Sequence, residues 1–293
     1  MRAVWALTKR NLKIFFRDRM QVFFSLLSVL IIITLYLLFI RTSFSGFTLE
    51  GVQPKTFAML SDAFIAAGMV AVTSITATLG ALGAMVDDRS LKIQKDFRSA
   101  PIQGSQIVLG YVLNTFIVGM ILSVITFAVM QLYVLANGGA LYSFATLAKL
   151  LGAMVLSVFA GGSMAFCLVA VLRTSGAFGT VSTIVGTLIG FVMGVYMPLG
   201  MLPSAVQSVV KLFPMSYSGY LMRNILMEEQ LAGAFGGLPQ EAMEGVEQYR
   251  QMLGVDITVF GAQVTPLAAI LVLIGTAALF ALLGIMLVRR KDK

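Results

Sequence analysis

The chain has 293 residues, of which 58% are hydrophobic and only 12% are charged, whereas an ordinary soluble domain has roughly 45–50% and about 25%. This composition predicts a membrane protein. The chain has no His and one cysteine, Cys167, which excludes a Ser-His-Asp triad, a Cys-His nucleophile, a Cys/His metal site and an intrachain disulfide. It also has no Gly-Lys dipeptide, so it lacks a Walker-type phosphate loop, and any nucleotide chemistry must belong to a partner.

Six stretches contain no Asp, Glu, Lys or Arg and are each about as long as a bilayer crossing requires. They are residues 22–40, 63–86, 107–136, 150–172, 176–197 and 265–288. The predicted fold class is therefore an all-α membrane protein with six transmembrane helices. The first stretch is interpreted as a retained helix rather than a signal peptide, because no small-residue cleavage site follows it.

The basic residues are distributed unequally over the two sides of these predicted spans. Of the 21 Lys and Arg residues, fifteen flank the side that carries both termini and six flank the other. The positive-inside rule therefore places both termini in the cytoplasm. The formal net charge of +8 is read as a topology signal, and no nucleic-acid partner is expected.

The N-terminal segment, residues 1–21, is predicted to be an amphipathic helix on the cytoplasmic membrane face. At 100° per residue, one side gathers Met1, Val4, Trp5, Thr8, Leu12, Phe15 and Phe16. Beside it lie the cations Arg2, Lys9, Arg10, Lys13 and Arg17, while Ala3, Leu7 and Ile14 break the pattern. Such a helix can contact membrane lipids and also dock a partner; the alternative is a positive flank that only sets topology.

The second domain, residues 22–197, holds the first five spans and one sizeable cytoplasmic connection, residues 87–104. This connection mixes both charge signs with Leu91, Ile93 and Phe97, and Pro101 and Gly104 end it. A short helix of this kind suits contact with a soluble partner, because a simple turn needs only a few residues. A solvated linker is the alternative.

The third domain, residues 198–264, is predicted to lie on the outer side. Pro203 and Pro214 each stand where a short helix can begin, and we expect two helices in the outer leaflet, shielded by protein. The acidic part that follows, residues 228–261, predicts a small external helix whose inward face is Met243, Val246, Tyr249 and Leu253. Residues 265–293 form the sixth span and a basic cytoplasmic tail.

The six spans contain no charged residue, so proton or sodium coupling lacks its usual groups. Asp62 and Lys149 precede the second and fourth spans on the outer side, where both are expected to reach the interface. The third span carries the neutral polar residues Asn114, Thr115, Ser123, Thr126 and Gln131. Hydrogen bonds between helices are the preferred explanation for them, ahead of a substrate site.

The fifth span carries glycines at four-residue spacing, Gly186, Gly190 and Gly194. Glycines at this spacing form a flat ridge along a helix, which lets another helix approach closely. The ridge predicts close packing, either within the subunit or at a subunit interface or translocation path.

Four features together resemble the membrane subunit of ABC-2 type exporters, the family that includes drug-resistance permeases of the daunorubicin type. They are LTKRNLKIFFRDRMQVFFSL before and into the first span, DDRSLKIQKDFRSAPIQGSQIVLGYVL into the third, MLPSAVQSVVKLFPMSYSGYLMRNIL after the fifth, and the six-span layout itself. The third feature matches a Leu-Pro, Pro-x-x-Tyr, Arg pattern carried by Pro203, Pro214, Tyr217 and Arg223.

The resemblance implies a half-transporter that pairs with a second permease copy, as a homodimer or with a sister permease. It implies no cofactor on this chain, because ATP and Mg²⁺ bind to a separate cytoplasmic ATPase that contacts the amphipathic helix and the loop. The candidate coupling residues are Arg10, Arg17, Asp18, Asp87, Asp88, Arg89, Lys92, Lys95, Asp96, Phe97 and Arg98. The candidate interface or path residues are Gly186, Gly190, Gly194, Phe191 and Tyr196.

The predicted function is that of a multidrug-type efflux permease in a bacterial cytoplasmic membrane, moving amphipathic or hydrophobic cargo such as a drug, peptide or lipid. Removing the charges of Asp88, Arg89 and Asp96 is expected to uncouple export without unfolding the bundle. One alternative is an intramembrane lipid-modifying enzyme that uses Asp62 as its base. Another is an ATP-independent channel or assembly component.

Overall fold

The computed structural model describes residues 1–36, 54–236 and 243–291. Within them the chain is almost entirely helical. The helices are α1 (Arg2–Arg17), α2 (Arg19–Leu35), α3 (Pro54–Ala81), α4 (Gly83–Ser90), α5 (Gln94–Ser99), α6 (Gly104–Ala136), α7 (Phe144–Val171), α8 (Ser175–Val192), α9 (Ser204–Leu212), α10 (Ser216–Phe235), α11 (Met243–Leu253) and α12 (Pro266–Lys291). A two-stranded antiparallel hairpin, β1 (Thr258–Val259) and β2 (Ala262–Gln263), precedes α12.

Five helical stretches of the described chain are long and apolar enough to cross a membrane: Thr56–Ser90, Gly104–Ala136, Phe144–Val171, Ser175–Val192 and Pro266–Val288. These correspond to the second to sixth predicted spans, and the all-α membrane fold is confirmed. The first predicted span begins within α2, which ends at Leu35, and its last residues, 37–40, lie outside the described residues.

Helix α3 is the centre of the bundle. It packs against α2, α6, α7, α8 and α10, and 89% of the most apolar window of this span is buried. Small residues such as Ala63, Ala67, Ala71 and Ala77 are fully buried along it, because small side chains let several neighbouring backbones approach at once. The long helix α6, about 50 Å at 1.5 Å per residue, lies along α3, and α12 packs mainly on α7.

The neutral polar residues of α6 act mostly between helices, as predicted. The hydroxyls of Thr126 and Thr73 lie 3.1 Å apart, and those of Ser123 and Ser74 3.3 Å apart, both across the α3–α6 contact. The Asn114 amide donates to the Ala81 carbonyl at 3.2 Å. In contrast, Thr115 bonds within its own helix and Gln131 bonds to the following loop.

The expectation for Asp62 was wrong. Helix α3 begins at Pro54, so Asp62 lies inside it, and the residue is only 3% exposed. Its carboxylate accepts a hydrogen bond from the hydroxyl of the fully buried Tyr36 on the α2 side. Asp62 is therefore held in the interior and does not reach the interface.

The two ends of the bundle have different structures. The near end carries α1, α4 and α5 together with the start of α6 and the end of α7. The far end carries α9, α10, α11 and the hairpin. Helix α9 begins directly after Pro203, and α10 begins two residues after Pro214 and runs for 20 residues. In α11, Val246, Tyr249 and Leu253 are buried as expected. Met243 is 44% exposed, so its assignment to the inward face was wrong.

Candidate coupling site

The charged sequence Asp87-Asp88-Arg89-Ser90 at the end of α4 contacts several other helices at the near end of the bundle. These residues are the start of the predicted cytoplasmic connection. Their side chains bond to four other helices or helix ends: α1, α6, the end of α7 and the start of α8. We call these four residues the joint.

The joint's strongest contact is between Asp88 and α1. Arg10 donates two hydrogen bonds to the two oxygens of the Asp88 carboxylate, both at 2.6 Å, the bidentate geometry in which Arg–carboxylate pairs are strongest. The Tyr111 hydroxyl of α6 donates a third, also at 2.6 Å. Asp88 is 3% exposed, so one buried carboxylate ties together α1, α4 and α6. Its hydrogen bonds raise the pKa of the Arg10 guanidinium above the ordinary value.

Arg89 and Asp87 join the other two helices. The Arg89 guanidinium donates to the backbone carbonyls of Val169, Ala170 and Leu172 at 2.5 to 3.4 Å. These carbonyls lie at the C-terminal end of α7, where the negative end of the helix dipole favours a cation. Asp87 accepts a hydrogen bond of 2.7 Å from the Ser175 hydroxyl at the first residue of α8.

Helix α1 is held against α6 by close backbone packing as well as by the ion pair. A Cβ added at Gly110 would lie 2.8 Å from the Leu7 Cβ, so glycine is what allows the two helices to approach. The Thr8 hydroxyl bonds to the Val4 carbonyl at 2.9 Å and lies 3.4 Å from the Gly110 carbonyl. Thus α1 is a packed part of the bundle.

The predicted apolar face of α1 is divided in two by this packing. Val4, Leu7, Thr8, Asn11 and Phe15 are buried against protein, so Leu7, which had looked like an exception, belongs to the packed side. The neighbouring stripe, comprising Met1, Trp5 and Phe16, is exposed. The sequence periodicity cannot separate these two apolar faces, because one packs on protein and the other is open.

The last residues of α1 form the corner to α2. Arg17 is exposed at the end of α1, and Asp18 follows it outside both helices. The Asp18 side chain accepts from the Met20 and Gln21 amides at 3.0 Å each. Asp18 is therefore the N-cap of α2 and satisfies two of the backbone amides at the start of that helix.

Beyond the joint, residues 91–96 comprise a turn, 91–93, and the first residues of α5, and most of them are exposed. We call residues 91–96 the turn. Leu91 is 70% exposed, Lys92, Lys95 and Asp96 are all exposed, and Lys92 has a φ of +63°, which reverses the chain between α4 and α5. Phe97 lies at the base of the turn, 5.1 Å from the Arg10 guanidinium, a distance at which a cation–π contact forms. The Arg98 side chain lies outside the described residues.

Of the predicted coupling residues, the structure therefore places Lys92, Lys95 and Asp96 at the surface and Asp88 in the interior. Arg89 bonds to the end of α7. That the charges of Asp88, Arg89 and Asp96 can be removed without unfolding the bundle stays a prediction, and a cost in stability is now expected because Asp88 and Arg89 bond to other helices. Tyr111 and Gly110 lie in the stretch before and into the third span that resembles the family, but the sequence did not indicate their contacts, since their partners are distant in the chain.

The three glycines of the fifth span do not form one ridge. Helix α8 ends at Val192, and Gly194 lies in the following turn with a φ of +63°. The ring of Tyr196 folds back over Gly190, where a Cβ would overlap it, and packs on Phe191 with ring centroids 5.0 Å apart. Gly190 and Gly194 therefore shape the turn at the end of α8.

The far end contains a buried arginine, which belongs to the third sequence feature that resembles the family. Arg223 of α10 is 4% exposed, and its guanidinium lies 4.9 Å from the Phe64 ring of α3. A Cβ at Gly194 or Gly254, both with positive φ, would come within 3.0 or 3.1 Å of its nitrogens. Among the described residues, Nε and Nη2 of Arg223 have no hydrogen-bond partner. Tyr217 is buried nearly two turns earlier in the same helix, and its amide donates to the Pro214 carbonyl.

Two cavities open between the spans. The inner cavity, about 460 Å³, lies near the joint between α6, α7 and α12, and all of its lining residues are uncharged. Phe116 and Phe159 stack in its wall with ring centroids 4.4 Å apart. The outer cavity, about 1230 Å³, lies at the far end between α7, α10, α11 and α12.

Comparison with known families gives a match over most of the chain. The family described as ABC-2 type transporter matches residues 2–227, which include α1, the joint and the segment up to Arg223. A comparison with curated proteins finds no significant match. The chain belongs to the ABC-2 type transporter family.

This membership defines the protein as the permease component of an ABC transporter. It is a multi-pass membrane protein and a transport subunit that is not itself catalytic, and its family implies partnership with an ABC ATPase. The alternative of an intramembrane lipid-modifying enzyme with Asp62 as its base is not retained. The family is one of transport subunits, and Asp62 is buried against Tyr36.

Proposed function

We propose that this permease works in an ATP-driven exporter of a bacterial cytoplasmic membrane, with the near end in the cytoplasm. A separate ATPase, which binds ATP and Mg²⁺, docks on residues 91–96 and on the basic side of α1. The cargo is amphipathic or hydrophobic, and it leaves the cell.

The observation that carries this proposal is the joint. Residues 91–96 project from it with three exposed charged side chains, while Asp87, Asp88 and Arg89 bond to α1, α6, α7 and α8. A displacement of the turn must therefore act on four helices together, because tightly packed helices move as rigid bodies. This is the arrangement that a mechanical link between an ATPase and the spans requires.

A second permease copy is proposed to pack on α8. Only 11% of the most apolar window of α8 is buried, compared with 17% for α12, but their exposed residues differ. Helix α12 exposes Leu, Ile and Met side chains that suit lipid tails. Helix α8 also exposes Ile184, Leu188 and Phe191. In addition it exposes small and hydroxyl residues that favour close contact between helices in membranes, namely Gly176, Gly179, Thr180, Thr183 and Thr187.

The cargo class is supported by the chemistry of the described spans. The inner cavity has no charged lining residue, and the polar groups of α6 bond to other protein groups. An uncharged path favours molecules with large apolar parts over charged sugars.

The docking proposal is tested by co-expressing the chain with an ABC ATPase encoded beside it and purifying through a tag on the permease. Wild type is expected to retain the ATPase with vanadate-sensitive hydrolysis. The variant Lys92→Ala/Lys95→Ala/Asp96→Ala should lose most of the ATPase while keeping its unfolding temperature, because these side chains are exposed. The far-end variant Glu244→Ala/Gln248→Ala, also exposed, is the matched control and should behave as wild type.

A wild-type permease that elutes alone beside an expressed ATPase contradicts the proposal. So does a triple variant that binds the ATPase and transports normally.

The dimer proposal is tested with two glycines that face open space. Gly179→Leu on α8 and Gly275→Leu on α12 add the same side chain, and neither glycine has an atom within 4 Å of an added Cβ. Light scattering in detergent should show monomers for Gly179→Leu and dimers for Gly275→Leu. Equal masses for the two variants would place the interface elsewhere.

A further inference from the structure

The outer cavity is large and apolar in its depth. Its volume of about 1230 Å³ exceeds the roughly 300–1,000 Å³ of ordinary small-molecule sites. Leu156, Leu231, Phe235 and Ile270 are among the side chains that line it. Its walls are α7 and α12 on one side and α10 and α11 on the other. Two of the wall helices, α7 and α12, are candidate membrane spans, and a cavity beside them with this lining suits long hydrocarbon chains.

The rim of the same cavity carries charges of both signs. Lys149 and Glu228 form an ion pair of 2.9 Å in which both side chains are more than half exposed. Arg250 pairs with Asp256 at 2.5 Å, and Glu247 lies in the same lining. The inner cavity has no such rim, so the charged rim distinguishes the outer cavity.

We propose that the outer cavity binds one phospholipid with an amine-bearing zwitterionic headgroup, of the phosphatidylethanolamine class. The acyl chains lie along α7 and α12 inside the cavity, the phosphate faces Lys149 and Arg250, and the ammonium group faces Glu228 and Glu247. This proposal goes beyond the proposed function, because it requires neither an ATPase nor a transport direction.

The charge balance of the rim selects this headgroup over others. The lining contains two cations and three carboxylates. A purely anionic headgroup would meet more carboxylates than cations, and like charges brought together are repelled. A choline headgroup carries the same charges but cannot donate hydrogen bonds, whereas a primary ammonium donates three. An ethanolamine headgroup offers a phosphate to the two cations and an ammonium group that can donate hydrogen bonds to the carboxylates.

Gly152 offers a way to block the cavity without disturbing the bundle. It lines the cavity from α7, and an added Cβ there meets no atom within 4 Å. Gly152→Phe therefore places a ring in the space assigned to the lipid. Gly275→Phe is the matched control, since Gly275 also faces open space but does not line the cavity.

The experiment reconstitutes the full chain into nanodiscs with equal parts of phosphatidylethanolamine, phosphatidylglycerol and phosphatidylcholine, then transfers it to detergent and counts retained lipids by native mass spectrometry. Wild type and Gly275→Phe should retain one phosphatidylethanolamine per chain. Gly152→Phe should retain it about tenfold less, because excluding even two buried methylene groups is sufficient for that change. Unfolding temperatures confirm that the variants fold; if Gly152→Phe does not, Ala232→Phe fills the cavity from exposed Ala232 on α10.

The headgroup assignment has its own test. Glu228→Gln/Glu247→Gln removes the carboxylates that face the ammonium and keeps the cavity, so a lipid should still be retained without preference for phosphatidylethanolamine over phosphatidylglycerol. The proposal is overturned if Gly152→Phe and Gly275→Phe retain lipid equally. It is also overturned if wild type retains the three lipids without preference, which would indicate annular lipid only.

Discussion

The two ends of the bundle each contain a cation–carboxylate pair between distant helices, but the pairs differ in what surrounds them. At the near end, Arg10 and Asp88 meet with two bonds of 2.6 Å and a third bond from Tyr111, and Asp88 is buried. At the far end, Lys149 and Glu228 meet through one bond of 2.9 Å with both side chains exposed. The buried far-end cation, Arg223, has no carboxylate partner among the described residues.

This difference indicates that the ion pair between helices is stronger at the near end than at the far end. Side-chain bonds at the joint fix α1, α6, α7 and α8 relative to one another, so a force on the exposed turn is transmitted. The far end is also held by side-chain bonds, among them two hydrogen bonds from Arg250 to the Asp256 carboxylate and one of 2.8 Å from the Asn224 amide to the Val255 carbonyl. Its ion pair between helices, Lys149 with Glu228, is nevertheless exposed.

The largest expected effect is that of Asp88→Ala. This change leaves the Arg10 guanidinium and the Tyr111 hydroxyl without their acceptor, and breaking a buried pair costs about 3–5 kcal/mol. Because Arg10 keeps 30% exposure, we expect a loss of about 2–4 kcal/mol in the free energy of unfolding. Denaturation in detergent measures it.

Asp96→Ala is the control for this prediction, since Asp96 is an exposed carboxylate of the neighbouring turn. It should leave the unfolding free energy unchanged. Equal stability of Asp88→Ala and Asp96→Ala would remove the distinction between a structural joint and a docking turn.

The next effect is that of Gly110→Val, which tests the packing of α1 on α6. The added Cβ alone would lie 2.8 Å from the Leu7 Cβ, and overpacking of this kind costs roughly 1–3 kcal/mol. Limited proteolysis should also show α1 detaching. Gly275→Val, at an open position, makes the same exchange within a helix, and a similar loss there would show that packing is not the cause.

Replacing each cation with methionine contrasts the two ends directly. Arg10→Met should be destabilising because Asp88 remains buried without its partner. Arg223→Met should be neutral or stabilising by up to about 2 kcal/mol, since apolar replacement of a buried charge of similar volume is often favourable. A large loss of stability for Arg223→Met would show that its contacts with Phe64 and the glycine turns outweigh desolvation.

Arg223→Met also separates stability from transport. If the variant is stable but transports poorly, the buried cation serves the transport cycle. Transport of a fluorescent amphiphile into inverted vesicles, with the ATPase bound, is the corresponding measurement.

The smallest expected effect is that of Lys149→Gln. Exposed pairs contribute about 0–1 kcal/mol, so this change should alter the unfolding free energy by less than about 1 kcal/mol. Any effect should also vanish at high salt, because exposed charges are screened. A loss as large as that of Asp88→Ala would contradict the proposed difference between the two ends.

Several features could be predicted from the sequence because they depend on local composition. The apolar runs located the second to sixth spans, and the inward residues Val246, Tyr249 and Leu253 followed from helical periodicity. The third feature of the family resemblance included Arg223, but nothing local indicated that this residue would be buried without a carboxylate. Asp62 and Leu7 were misjudged because each depends on a partner far away in the chain, Tyr36 and Gly110. Gly190 was misjudged because α8 ends at Val192 and the turn that follows returns Tyr196 over it.

The sequence by itself determined that this chain is a helical membrane protein, where most spans lie, and which charged segments face away from the spans. These properties follow from the free energy of transferring each segment between water and lipid, which the residues of that segment largely set. Only the tertiary structure decided which charges are structural and which are exposed. Asp88 and Asp96 lie eight residues apart in one loop, and their roles differ because Arg10 and Tyr111 fold against the first and nothing described folds over the second.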